Sequence, residues 1–329
     1  GSAYALISLV LTFIFGTLGV VNFAHGALFV LGAFCAVTLN RIFSISFDTI
    51  DPTTTDFLVN LATIKTTYLE YWFGPDPAAW MTDWSVPLAI LLAVPVMLLV
   101  GVIMERGLIK NFYKRPHADQ ILVTFGLAIV LQEVIKFFYG ANPIQMAPPE
   151  VFIGTMDLGV WLGFEANAIA YPYWRLVYFL FSAVVIGAVF AFLQFTTFGM
   201  VVRAGMADRE TVGLLGIDID KRFTITFAIA ATVAGIAGVM YTPITPPTYD
   251  IGVELLVLSF VVVVVGGMGS LPGAVLAGFL LGIVESFASM NEVKNIFPGI
   301  DQIIVYLMAI VVILVRPRGL MGRKGVMED

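Results

Sequence analysis

Charge is scarce in this chain. Only 12% of its 329 residues are Asp, Glu, Lys or Arg, about half the share of a soluble domain. Cysteine and histidine are scarcer still, at one Cys and two His. A single cysteine, Cys35, excludes an internal disulfide and offers no thiolate metal cluster. Two histidines far apart in sequence give no support to a protein-ligated catalytic metal. No G-x-x-x-x-G-K-[ST] phosphate loop occurs: GGMGSLPG lacks the lysine, and GLMGRKG carries it at the wrong spacing with no Ser or Thr after it. HExxH, CxxC and GxSxG are absent too. The chain by itself is therefore not expected to hydrolyse ATP or to act as an enzyme, and no cofactor or nucleic-acid partner is expected.

What is abundant is apolar. The chain is 59% hydrophobic, with 27 Phe, 13 Met and 31 Gly, a mixture suited to lipid contact and close helix packing. Apolar segments run over approximately 3–20, 23–40, 86–104, 120–138, 174–195, 222–242, 252–265, 273–290 and 300–315. A helix needs roughly 20 residues to cross a hydrocarbon core of about 30 Å. Most of the segments qualify, and 252–265 is short. The expected fold is an all-α polytopic membrane protein with about 8–9 transmembrane or re-entrant helices. All 329 residues read as one transmembrane domain. The chain opens on GSAYALISLVL without an initiating Met, so the reading expects a missing N-terminal piece, part of a first helix.

Lys and Arg orient the spans. Most of the 17 fall in three clusters: Arg106, Lys110, Lys114, Arg115; Arg203, Arg209, Lys221, Arg222; and Arg316, Arg318, Arg323, Lys324. Two spans separate the first two clusters, which places them on one side, cytoplasmic by the positive-inside rule. The C-terminal tail, 316–329, falls on that side as well. The opposite side receives the loop 41–85, rich in Thr and Asp, and 140–173, which holds no Lys or Arg. Trp72, Trp80, Trp84, Tyr171, Tyr173 and Trp174 gather there as an outer aromatic belt would. The loop 41–85 reads as a solvated connection or as a docking surface for an extracytoplasmic partner. Between Arg222 and Arg316, charge counting admits four full spans or two spans plus a re-entrant pair.

Three stretches stand out for mechanism. TFGMVVRAGMADRETVGLLGIDIDKR, 197–222, is too polar to span. Val201, Val202, Gly205, Met206, Gly213 and Leu214 recur at helical spacing between charges, with Gly216 as a stop. It reads as a cytoplasmic amphipathic helix that rests on headgroups or docks into a partner's groove. VVVVVGGMGSLPGAVLAGFLLGIVES, 261–286, interrupts an apolar run with Gly266, Gly267, Gly269, Ser270, Pro272 and Gly273. Such a break is tolerated only where the backbone is buried in protein or lines a wet cavity; close helix packing through small residues is the plainer account. Isolated polar residues in apolar segments are Asn22, His25, Gln132, Glu133, Gln194 and Glu285. Each faces a cavity or a partner. Glu133 has Lys136 one turn away, which reads as a structural pair near the outer interface. VNFAHGALFVLGAF, 21–34, places Asn22 and His25 three residues apart, on one face of a helix, flanked by glycines that permit a bend. It reads as a hinge or gate, or as a helix-to-helix hydrogen bond.

FGTLGVVNFAHGALFVLGAF, RAGMADRETVGLLGIDID, VVVVVGGMGSLPGAVLAGFLLGIVES and RPRGLMGRKG, in this order, resemble the LivH-like branched-chain amino acid permeases. The resemblance covers nearly the whole chain. These are membrane subunits of bacterial ABC importers, and the resemblance implies a bacterial inner-membrane protein. It also implies a second homologous permease, two cytoplasmic ATPase subunits and a periplasmic substrate-binding protein as partners. ATPase coupling is implied for Arg203, Ala207, Asp208, Arg209, Glu210 and Gly216. A translocation pathway or gate is implied at Asn22, His25, Gly266, Gly267, Gly269 and Ser270, with Glu285 a further candidate from its position in the span. The substrate class implied is a branched-chain or hydrophobic amino acid or a similar small polar solute; urea and short-chain amide permeases are close relatives. The rival class is a stand-alone ion-coupled carrier, which needs its own buried ion site. The acidic outer loop 41–85 is longer than the family pattern leads one to expect.

Overall fold

A computed structural model of the chain describes residues 1–20, 22–50, 63–113, 115–157, 170–207 and 209–322. All nine apolar segments are helices. α1 is Ser2–Leu18 and α2 is His25–Phe43. The outer loop folds into a hairpin, β1 (Ser46–Ile50) with β2 (Thr63–Thr67), and two short helices, α3 (Tyr68–Phe73) and α4 (Pro75–Asp83). The strands are a departure from the helical expectation, and their threonine and isoleucine content suits a pleated surface. α5 (Ser85–Gly107), α6 (His117–Tyr139) and α7 (Tyr173–Phe195) follow, with a small hairpin β3 (Thr155–Asp157) and β4 (Ala170–Pro172) before α7. The polar stretch 197–222 gives α8 (Thr197–Ala207), α9 (Arg209–Leu214) and the start of α10 (Ile219–Tyr241). The chain ends with α11 (Ile251–Gly266), α12 (Leu271–Ala288), α13 (Asn291–Ile296) and α14 (Ile300–Val315).

Among the described residues, six helices are long and apolar enough to cross a membrane: α2, α5 with its 3₁₀ extension to Phe112, α6, α7, α10 and α12. α1, α11 and most of α14 form a shorter apolar set. This is a polytopic, all-helical membrane protein.

Small residues set the packing. α2 and α10 are largely buried by the rest of the protein, whereas α6 is largely exposed. A Cβ at Gly32 would run into the backbone of Gly235, and one at Gly26 into the carbonyl of Gly252. Absent side chains let α2 lie directly on α10 and α11. That is how helices gain contact in a lipid setting where burial of apolar surface contributes little. α5 packs on α10 as well, Met97 against Gly235.

The basic residues collect at one end of the helices. Lys110, after α5, pairs with Asp220 at the start of α10 at 3.1 Å. Arg222 lies over the Phe198 ring of α8 at 5.2 Å. The α11–α12 turn meets the chain just beyond α14 there, with Leu320 and Met321 N–H donating to Val265 and Gly266 carbonyls at 2.8 and 3.0 Å. At its far end α11 starts beside Tyr249, whose ring holds Lys136 of α6 at 5.0 Å. α10, α11, α12 and α14 therefore traverse the protein four times, and α11–α12 is a full hairpin rather than a shallow re-entrant pair.

Two expectations change. Trp174 is no part of an exposed belt: it is 3% exposed and its Nε1 donates to the Met240 carbonyl at 3.1 Å. Trp72 and Trp80 are exposed. Asn22 and His25 do not share a helix face, because α2 begins at His25 and Asn22 precedes it. Glu133 and Lys136 do pair, at 3.5 Å on an exposed face.

Candidate translocation site

The α1–α2 junction is a break inside the protein. α1 runs toward the basic end, where Gly16 and Thr17 line a cavity with Ser270 and Met321. Yet His25, the first residue of α2, bonds through Nε2 to the carbonyl of Ile7 at 3.1 Å. Ile7 lies eleven residues before Leu18, about 16 Å along α1. The link between the helices thus climbs back to mid-depth before α2 starts. Its exposed backbone groups are met locally: Asn22 Oδ1 accepts the Ala24 N–H at 3.0 Å, and Thr124 Oγ1 of α6 accepts the Phe23 N–H at 3.0 Å. Gly19, in the left-handed region at φ 65°, ends α1 and starts the reversal. Asn22 and His25 are both fully buried. Asn22 Nδ2 and His25 Nδ1 have no hydrogen-bond partner among the described residues.

The second break is the α11–α12 turn. Gly267 and Gly269 take φ of 100° and 81°, values that side chains disfavour. Ser270 caps α12, its Oγ accepting the Gly273 N–H at 3.2 Å. Gly266 packs directly on Gly273. Gly269 and Ser270 line a cavity of about 680 Å³ with Thr12, Thr17, Gln194 and Arg203.

Glu285 lies elsewhere. It is 15 residues beyond Ser270, about 22 Å along α12, and Tyr4 Oη donates to its Oε1 at 2.9 Å. The pathway candidates therefore occupy three levels, linked by α1: Glu285 at Tyr4, Asn22 and His25 at Ile7, and Gly269–Ser270 beside Thr12.

In the lever segment, α8 folds back on the end of α7. The Arg203 guanidinium donates to the Leu193 carbonyl, which turns it toward the cavity. Gly216 takes φ 79° and stops the helical stretch. Asp208 lies outside the described residues, as do the side chains of Ala207, Arg209 and Glu210. Asp218 caps α10, accepting the Lys221 N–H at 3.1 Å and pairing with Nζ at 3.2 Å. These interactions hold its carboxyl below the usual range, the backbone hydrogen bond first.

One buried acid escaped the sequence reading. Glu105, in the last turns of α5, is 0% exposed. It accepts hydrogen bonds from Tyr113 Oη at 2.8 Å and Thr224 Oγ1 at 2.6 Å, tying α5 to α10. Its position beside Arg106 makes it look like an interfacial charge, and no sequence signal sets it apart. Thr12 was missed too; its spacing from Gly16 by one helical turn is the only hint. Among the described residues no three His, Cys, Asp or Glu side chains converge as metal ligands would.

A helix break buried within a bundle of apolar helices, with polar atoms beside it, is the pattern of a membrane transport protein. Residues 1–313 match the family described as "Branched-chain amino acid transport system / permease component", and the chain belongs to that family. It is 26% identical to the high-affinity branched-chain amino acid transport system permease protein LivH of Salmonella typhimurium, over 98% of this chain and 92% of that protein. It is 27% identical to BraD of Pseudomonas aeruginosa, of the same description, over the same shares. A more distant relative is the ribose import permease protein RbsC of Haemophilus influenzae, 22% identical over 69% of each. No solved structure gives a significant match.

Proposed function

We propose that this chain is a membrane permease subunit of a binding-protein-dependent ABC importer, forming half of a translocation pathway for branched-chain or similar hydrophobic amino acids. The observation that carries the reading is the family match over residues 1–313. A second homologous permease completes the pathway, two ATPase subunits sit at the basic end, and a substrate-binding protein delivers solute at the opposite end. The basic end is cytoplasmic by the positive-inside rule. ATP-driven closure of the ATPases pushes on α8–α9, and the helices rock between outward- and inward-facing states. The buried break at Asn22–His25 and the Gly266–Ser270 turn at the basic end serve as hinge and gate. Both have non-helical backbone set against neighbouring helices, which can exchange partners as they slide.

The test is reconstitution with the ATPase and binding-protein subunits of the same importer. Leucine uptake into proteoliposomes that depends on ATP and on the binding protein supports the reading. Uptake driven by a Na⁺ or H⁺ gradient without ATP, or failure of the tagged chain to copurify with any ATPase in mild detergent, overturns it.

A further inference from the structure

The cavity of about 680 Å³ at the basic end has a chemistry of its own. α1 supplies Thr12, the end of α7 supplies Gln194, and the turn before α12 supplies Gly269 and Ser270. Three observations point to a ligand with a negative group. First, the N-terminus of the 18-residue α12 opens here; Pro272 has no N–H and Ser270 Oγ takes that of Gly273, so the helix offers an anion its dipole and the Leu271 N–H. Second, Arg203 lines the same space. The Leu193 carbonyl takes one of its N–H groups, and a guanidinium carries five. Third, Thr12 is 0% exposed and lies on this lining, and its hydroxyl has no hydrogen-bond partner among the described residues. A buried hydroxyl without a partner is a standing cost that a bound polar group removes. The remaining wall is apolar, with Phe13, Phe190 and Met268 prominent. A few convergent polar groups on an apolar wall are the usual make-up of a small-molecule site.

The geometry points to a solute subsite that takes a small aliphatic amino acid by its carboxylate. Arg203 and the first turn of α12 hold the carboxylate, Thr12 bonds the solute's polar end, and Phe13, Phe190 and Met268 contact the side chain. The inference rests on the transport reading above and gives Arg203 a new place. Its backbone belongs to α8, the proposed lever, while its side chain reaches the solute. Movement of α8 then changes carboxylate affinity directly, and bound solute biases the lever by the same amount in return. An anionic lipid headgroup offers the same acidic chemistry, and the experiment separates the two sources.

The full chain carrying Cys35→Ala and Met268→Cys is placed in phosphatidylcholine nanodiscs, and the rate of maleimide labelling at position 268 is measured. L-leucine is expected to slow labelling severalfold. L-leucinamide, which lacks the carboxylate, is expected to leave the rate unchanged. Arg203→Gln is expected to weaken leucine protection by about tenfold or more, the loss of one charge-assisted hydrogen bond. Arg203→Lys should retain part of the protection, and an unchanged elution profile shows that each variant folds. Equal protection by leucinamide, or full protection in Arg203→Gln, overturns the proposal. So does protection that appears only with phosphatidylglycerol discs and is indifferent to leucine, which assigns the site to lipid. ATP-driven leucine uptake is measured in parallel on the assembled importer. Uptake without any protection overturns the subsite alone; absence of uptake in the unsubstituted importer overturns the transport reading.

Discussion

Glu105 shows how much a single side chain can hold in this protein. It is the fully buried acid among the described residues, and its partners Tyr113 and Thr224 are neutral hydroxyls. Glu105→Gln presents an amide whose donor half faces at least one of those hydroxyls. Each hydrogen bond disturbed in a buried setting costs about 1–3 kcal/mol. Glu105→Leu removes the acceptor the two hydroxyls share, with Thr224 Oγ1 keeping the Asp220 carbonyl at 3.0 Å, and should be the worse variant. Thermal unfolding in detergent, read by tryptophan fluorescence, should rank wild type above Gln and Gln above Leu; a Leu variant as stable as wild type refutes the role. A second residue-level prediction concerns acid. The Asp218 carboxyl lies below its ordinary 3.8, so its cap supports α10 above that value and is lost as pH falls through the lowered one. Asp218→Asn, which can still accept the Lys221 N–H, should flatten the pH dependence of stability below about pH 4. Of these residues the sequence exposed Asn22 and His25, because polar groups stand out in an apolar run. It hid Glu105 because a charge next to Arg106 at a span's end is ordinary, and hid Thr12 because a helical threonine usually bonds its own preceding turn.

At the level of elements, close approach governs. α2 touches α10 and α11 through glycine backbones, so the core of the bundle depends on atoms that are absent. Gly32→Leu must drive α2 off Gly235, and overpacking of this kind costs at least about 1–3 kcal/mol. Gly126 in α6 has no atom within 4 Å of a Cβ placed on it, so Gly126→Ala should be neutral or slightly stabilising through helix propensity. Expression and gel-filtration profiles in detergent should separate the two, with Gly32→Leu aggregating and Gly126→Ala eluting as wild type. Equal behaviour means that helix contacts are looser than the geometry requires. Every spanning element was legible from hydrophobic run length, since a helix in lipid cannot leave its backbone unsatisfied and must fill the run. The depth of the α1–α2 break was not. Sequence shows that glycines and polar residues interrupt the run, but only the His25–Ile7 hydrogen bond reveals that the chain doubles back to mid-depth before resuming.

At the scale of the whole molecule, the exposed apolar surface is itself information. α6 and α7 present Phe137, Phe138, Val184 and Phe195 outward, as faces turned to lipid or to a second permease must. Lys and Arg counts fixed which helix ends lie together but left the number of traverses after Arg222 open. Only the contacts of Val265, Gly266 and Tyr249 resolved it, because a turn's depth depends on what it packs against and not on its charge. The resulting arrangement makes a strong prediction. Lys65 in the hairpin and Lys221 at the start of α10 lie beyond opposite ends of the helices, and both are exposed. The native thiol, Cys35, is buried, so a Cys35→Ala background removes little and leaves a clean reporter. In intact cells made permeable only in the outer membrane, an impermeant maleimide should label Lys65→Cys and spare Lys221→Cys. Disrupting the inner membrane should bring the second to the level of the first. Labelling of Lys221→Cys before disruption would invert the topology and move α8–α9 to the side where no ATPase can reach them. The lever role would then fail even with the fold intact.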